Sequence, residues 1–296
     1  MNTVSKNQKL LRVVCTLILC VVAVFWMIPV VWLILNSFKT NIEFVSGYSN
    51  VHTPVEYIRA VLPERINLDS YVSLFTGEGL STASHLDVMI RNSIIVSISH
   101  TAIVVIVSSL AAYAYERLNF PIGDKIFWAL FFISLIPASA SLLPLFKICN
   151  SFGWLNNLNA LIWPGASSIM SVFLLRNFMT GIPRDLDEAA RIDGAGSFQI
   201  YTRIILPSVK PVLMIVGLNA FRASWNDYLW PSIAMTDPGN QTLTAGMALL
   251  SSQYGNAQWT NLLASTVISM IVPLLLYLTC QKYFLEGIKL RAAVKG

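Results

Sequence analysis

Side chains able to make or break a bond are sparse in this 296-residue chain. It has no H-E-x-x-H, no G-x-S-x-G and no G-x-x-x-x-G-K-[ST] phosphate loop, so metallopeptidase, serine hydrolase and nucleotide hydrolase chemistry all lack their residues. The cysteines Cys15, Cys20, Cys149 and Cys280 lie in or beside apolar runs without a C-x-x-C pair. They read as reduced packing residues. His52, His85 and His100 show no ligand spacing, and no metal site is expected.

Two groupings remain. The first is the polar stretch Pro183-Arg-Asp-Leu-Asp-Glu-Ala-Ala-Arg-Ile-Asp-Gly-Ala-Gly-Ser-Phe-Gln-Ile-Tyr-Thr-Arg-Ile-Ile-Leu-Pro207. Asp185 and Glu188 have the spacing of a capping box, which predicts a short helix through Ile192. Gly194 would supply the left-handed residue that ends it, Ser197 a second cap, and Pro207 the point where the following helix is redirected. The result is an amphipathic helix-turn-helix: Ala189 and Ala190 allow close approach, with Glu188, Arg191 and Asp193 as charges at the edge. Such an element either docks another protein or lies on lipid.

The second grouping is Asn219, Arg222, Asn226 and Trp230 at i, i+3, i+7 and i+11, one face of a helix. A charge at Arg222 inside an apolar run must face a bundle interior or a wet cavity. One reading makes this face part of a translocation path, with amides for hydroxyl groups, Trp225 or Trp230 as a ring face, and Asp227 as the other deep charge. The alternative pairs Arg222 with a partner's carboxylate or carbonyl and leaves the tryptophans as interface markers.

The elements that hold these groups are set by composition. The chain is 55% hydrophobic and 12% charged, with mean hydropathy +0.63, too little polar surface for soluble domains. The formal +5 charge falls between apolar runs and forms no basic face for nucleic acid. An all-α integral membrane protein is expected, with six spans near 13–35, 94–114, 126–146, 158–178, 209–233 and 262–284. Pro137 and Pro144 should kink the third. The first is too long for a signal-peptide core and no small-x-small site follows it, so it is retained.

Lys and Arg counting places fourteen on one side (Lys6, Lys9, Arg12, Arg117, Lys125, Arg176, Arg184, Arg191, Arg203, Lys210, Lys282, Lys289, Arg291 and Lys295) against five (Lys39, Arg59, Arg65, Arg91 and Lys147). Both termini are therefore expected in the cytoplasm. The chain divides into a tail and first span at 1–35, an extracytoplasmic segment at 36–91, a core at 92–284 containing the cytoplasmic loop 183–207, and a tail at 285–296.

Glu188-Ala189-Ala190, three residues, Gly194, nine residues, Ile204-x-Leu206-Pro207 resembles the E-A-A loop of permease subunits in binding-protein-dependent ABC importers. The Arg117 to Pro121 region, Trp225 to Pro231 and Val294-Lys295-Gly296 are similar to the G-type subunits of maltose-class carbohydrate importers. The resemblance implies the type I importer permease fold in the cell membrane, a heterodimer with an F-type permease, two ABC ATPase subunits and an extracytoplasmic sugar-binding protein. The carbohydrate cargo would be an oligosaccharide. ATP and Mg would be bound by the ATPases, with no cofactor and no catalysis in this chain. Asp185, Glu188, Ala189, Ala190, Arg191, Asp193, Gly194, Ile204, Leu206 and Pro207 would then couple to an ATPase, and the Lys289 to Lys295 tail would touch it.

A secondary transporter or channel is the alternative, and an intramembrane enzyme a third reading. The halves show no repeat of the kind secondary carriers carry, and no embedded carboxylate pair serves an enzyme.

Overall fold

The computed structural model describes residues 6–49, 51–77, 86–118, 121–252 and 259–294, with side chains at 9–49, 51–77, 86–118, 121–248 and 259–281. His85 and the charges of Lys6, Lys282, Lys289, Arg291 and Lys295 lie outside the described side chains. The chain forms two compact units, Met1–Leu80 with Leu250–Ile268, and Ser81–Leu249 with Ser269–Gly296. Among the described residues every regular element is helical.

The first unit begins with α1 (Lys6–Ser37), apolar on all sides and continuous through Pro29. Its membrane-spanning part, Lys9–Ser37, is about 44 Å long at 1.5 Å per residue, enough to cross the hydrocarbon core with margin. From Lys9 to Pro29 its side chains are exposed all round, Phe25 and Trp26 by 72% and 73%, so this part of the helix relies on lipid or another protein for burial.

The short helices α2 (Asn41–Ser49), α3 (Pro54–Val61) and α4 (Asp69–Thr76) follow. Thr53 and Glu56 form a complete capping box that starts α3. Polar groups buried where α1 ends fix this cap. Trp32 Nε1 donates to Tyr48 Oη at 2.9 Å, and Tyr48 donates to Asn36 Oδ1 at 3.0 Å. Buried Lys39 donates to the Ala60 carbonyl and sits 5.3 Å from the Tyr48 ring centroid. Burial pushes its ammonium below the ordinary lysine range, and Glu43 and Glu64 pull it back.

The second unit is built around α5 (Leu86–Arg117). Next come α6 (Gly123–Ile133), α7 (Leu142–Ser151), α8 (Asn159–Ile162), α9 (Ile169–Thr180) and α10 (Asp185–Ile192). The chain continues as α11 (Ser197–Ile200), a π turn (Tyr201–Ile205), α12 (Leu206–Ser208), α13 (Lys210–Asn226), α14 (Leu229–Ala234), α15 (Leu243–Ser252) and α16 (Trp259–Val294). Helices α13 and α9 pack on α5, whose buried face carries Ser93, Ser97, Ser108, Ser109 and Ala112. Small side chains let backbones approach. At the α13 crossing, a Cβ on Gly217 would stand 3.5 Å from a Val105 methyl.

The spans depart from the sequence expectation in three places. Among the described residues three helices are long and apolar enough to cross (Lys9–Ser37, Leu86–Arg117 and Trp259–Gln281), and up to five spans result if each bent pair counts as one. The expected third span is broken by 94° between Gly123–Ile133 and Ala138–Ser151, at Pro137. The expected fourth is not one helix: α8 stops after four residues, Gly165 turns the chain at φ +73°, and Ser168 caps α9 by accepting from Ser171 N at 3.2 Å. Helix α9 has twelve residues, about 18 Å, too few to span alone. The expected fifth ends early, at Asn226.

Candidate functional site

The loop at 183–207 forms its two helices, by a chemistry partly different from the expected one. Helix α10 occupies Asp185–Ile192, but Arg184 is its first boundary residue, already helical and without a side-chain cap. The Asp185/Glu188 box is not made. The acidic first turn, Asp185, Asp187 and Glu188, favours the helix through its dipole instead. The C-terminus is a full Schellman turn: Ala195 N donates to Ala190 O at 2.9 Å and Gly194 N to Arg191 O at 3.0 Å, with Gly194 at φ +83°. Ser197 is not a cap. It is the first residue of α11, and the Gly196 N–H donates to Gln199 Oε1 at 3.0 Å.

Pro207 does not itself turn the chain. Its ring would press on the carbonyl one turn earlier, and the turn just before it is widened to π geometry over Tyr201–Ile205. The 81° bend comes after Ser208, at Val209.

The loop has an inner and an outer face. Ala190, Ile204 and Leu206 pack on the core of the second unit with buried Ile200 and Ile205. These signature positions therefore help to shape the loop from within, with Ala190 half-buried. Asp185, Glu188, Ala189, Arg191, Ile192, Asp193, Gly194, Phe198 and Pro207 are exposed, Ile192 by 86% and Phe198 by 72%. Two large apolar side chains flank acidic and basic groups on this outer face.

The group that seats the loop was named in the sequence as a positive charge and as the start of a resembling region, without this role. Arg117, at the last residue of α5, is 5% exposed. Its Nη2 donates to Met179 O at 2.6 Å and Ile182 O at 2.7 Å, and its Nη1 to Asp187 Oδ2 at 3.3 Å. The other carboxylate oxygen of Asp187 has no protein partner. Nearby, Tyr113 Oη donates to Ser197 O at 2.9 Å, and Ser109 Oγ and Tyr201 Oη share a bond of 2.7 Å. Arg176 joins Glu116 at 3.3 Å and Asp124 at 2.6 Å, and Arg184 Nη2 donates to Glu116 O at 2.9 Å. The sequence signals were the resemblance of the Arg117 to Pro121 region and a charged pair, Glu116-Arg117, closing an apolar helix.

The stripe on the fifth expected span is divided. Asn219, Arg222 and Asn226 lie exposed on one face of α13, and among the described residues Arg222 makes no ion pair. Trp230 belongs to a different helix, α14, because the chain leaves helical geometry at Asp227, whose carboxylate accepts from the Leu229 and Trp230 amides. Both tryptophans are core residues. Trp225 is 1% exposed, stacks on Phe221 at 5.7 Å and donates to Ser269 O at 3.2 Å. Trp230 is 7% exposed and donates to Ala160 O at 2.8 Å. Neither offers a ring face to a ligand.

His100 Nδ1 lies 3.0 Å from Ile162 O, as an interior histidine would. The four cysteines are unpaired, with Cys149 buried.

Residues 105–289 match the family described as "Binding-protein-dependent transport system inner membrane component". The trehalose/maltose transport system permease protein MalG of Thermococcus litoralis is 30% identical over 291 residues, 98% of each chain. The arabinooligosaccharides transport system permease protein AraQ of Bacillus subtilis is 28% identical over 292 residues, 99% of each. Among solved structures, a bacterial ABC transporter that imports the acidic polysaccharide alginate has a chain with TM-score 0.77 and 20% identity, covering 96% of this chain and all of that one.

Proposed function

Because this chain belongs to the binding-protein-dependent transport system inner membrane component family, we propose a specific division of labour among its residues. The protein is a multi-pass membrane permease subunit of a carbohydrate ABC importer. The outer face of the 183–207 loop is its docking surface for a separate ABC ATPase subunit. Glu188 and Arg191 meet complementary charges there, and Ile192 and Phe198 enter apolar hollows.

The observation that carries this reading is the two-faced loop: one side held to the core by buried hydrogen bonds, the other presenting Ile192 and Phe198 to solvent. Large apolar side chains exposed among charged groups on an ordered element support a protein partner. A helix lying on lipid would instead carry a continuous apolar face, whereas Asp185 and Glu188 share the outer side of α10 with Ala189 and Ile192.

Six spans, cytoplasmic termini, an F-type permease partner and an extracytoplasmic sugar-binding receptor complete the proposal. ATP and Mg bind to the ATPases, and closure of the ATPase pair displaces the loop. Asn219, Arg222 and Asn226 face the partner permease and border the path. Each conformation must be favoured by differential binding of nucleotide or loaded receptor.

The test is co-purification of the complex from cells expressing all its subunits. Glu188→Arg and Gly194→Pro should each lower ATPase recovery with the permease at least tenfold, while the permease pair stays intact. Undiminished recovery in both variants would refute the docking assignment. The cargo is then identified by measuring the receptor's binding to mono- and oligosaccharides.

A further inference from the structure

A docked helix does work only if its motion reaches the spanning helices, and most of the 183–207 loop rests on its surroundings through apolar packing that allows sliding. Ser109 and Tyr113 of α5 hydrogen-bond its later part, at Tyr201 Oη and Ser197 O, and α10 itself is gripped from within by Arg117. One guanidinium joins three elements: it belongs to α5, it holds the carbonyls of Met179 in α9 and of Ile182 just beyond, and it reaches the carboxylate of Asp187 in α10. The side chains of Arg117 and Asp187 are 1% and 8% exposed.

Its planar fork fixes direction as well as distance. An ammonium on a lysine stem would be a point charge, unable to hold the same three acceptors in this spread. Asp187 points inward from α10 while Glu188, Ala189 and Ile192 point outward, so gripping the loop from within leaves the docking face untouched.

We propose that Arg117 is a positioning residue that makes α5, α9 and α10 one rigid body, so that displacement of the loop is delivered to the membrane helices. This rests on the docking reading above, and it adds that the force leaves α10 through the buried Arg117–Asp187 ion pair. Breaking the pair leaves docking in place and disconnects it from movement of the spans.

The experiment uses the complete complex with its ATPases, the native cysteines replaced, and spin labels at Leu186→Cys on α10 and Ile106→Cys on α5, both exposed positions. The label separation is measured without nucleotide and after trapping with ATP, Mg and vanadate. In the otherwise unaltered complex it should not change between the two states. In Asp187→Asn the ATPases should still co-purify, and the separation should change by about 2 Å or more on trapping, the scale of helix shifts in switching proteins. Arg117→Lys should behave alike, and Asp187→Glu should restore the fixed separation.

A separation that changes on trapping in the unaltered complex, or stays fixed in both Asp187→Asn and Arg117→Lys, overturns the proposal. Should Asp187→Asn not assemble, Arg117→Lys carries the same test. Glu188→Arg separates the two ideas: lost ATPase recovery there, with a fixed separation in Asp187→Asn, removes the link and keeps the docking surface. Undiminished recovery in Glu188→Arg removes the docking surface as well.

Discussion

Arg117 and Arg222 sit in the same bundle and differ in everything but chemistry. Arg117 has three acceptors within the chain, and removing its Asp187 partner would strand a buried charge, a loss of about 3–5 kcal/mol. Arg222 is exposed within an apolar helix and makes no ion pair among the described residues, so a partner for its charge is expected beyond them. Arg222→Ala is expected to reduce uptake of the receptor's sugar at least tenfold with complex recovery unchanged; unchanged uptake with poor recovery would make it an assembly residue. Trp230→Phe keeps an aromatic ring but loses the pyrrole part of the indole with the N–H that satisfies Ala160 O, the lost hydrogen bond alone costing about 1–3 kcal/mol. Lower thermal stability of the purified complex, with unaltered sugar preference, is the expected result. The periodicity at 219, 222 and 226 was legible because a helix really runs there. Trp230 was misplaced because a carboxylate competing for backbone amides ends a helix without changing its apolar pattern.

At the scale of elements, the 183–207 loop was legible in outline because glycine position and apolar spacing determine where helices stop. What was hidden was which polar atom does each task, since a capping sequence can stand beside a helix that extends past it. Gly194 gives a sharp check. A Cβ there meets nothing within 4 Å, so its φ of +83° is the sole demand on the residue. Gly194→Asn, which tolerates the left-handed region, should retain ATPase recovery and uptake close to the original, while Gly194→Val should lose both. The expected fourth span is not one helix for the opposite reason: 158–178 is largely apolar, but Gly165 and the Ser168 cap divide it. Hydropathy registers burial in lipid or protein alike and does not see a chain reversal.

For the molecule as a whole, the family match, the relatives and the shared fold of a solved importer chain agree with what composition alone required, a protein that lives in a bilayer. A subunit with so much unsatisfied surface should be short-lived by itself. Expressed without its partner permease, this chain is expected to reach a steady-state level several-fold below that in co-expression, as read by immunoblot of membranes under equal induction. Helix α1 is the extreme case, with none of its most apolar 18-residue stretch buried against the rest of the chain. It is also long enough to satisfy its own backbone bonds from end to end. A segment of this kind can leave the translocon as soon as it is synthesised, whereas the broken stretches near Pro137 and Gly165 must wait for later neighbours. Biogenesis would then proceed in two tempos, an early autonomous anchor followed by delayed, collective insertion of the remainder.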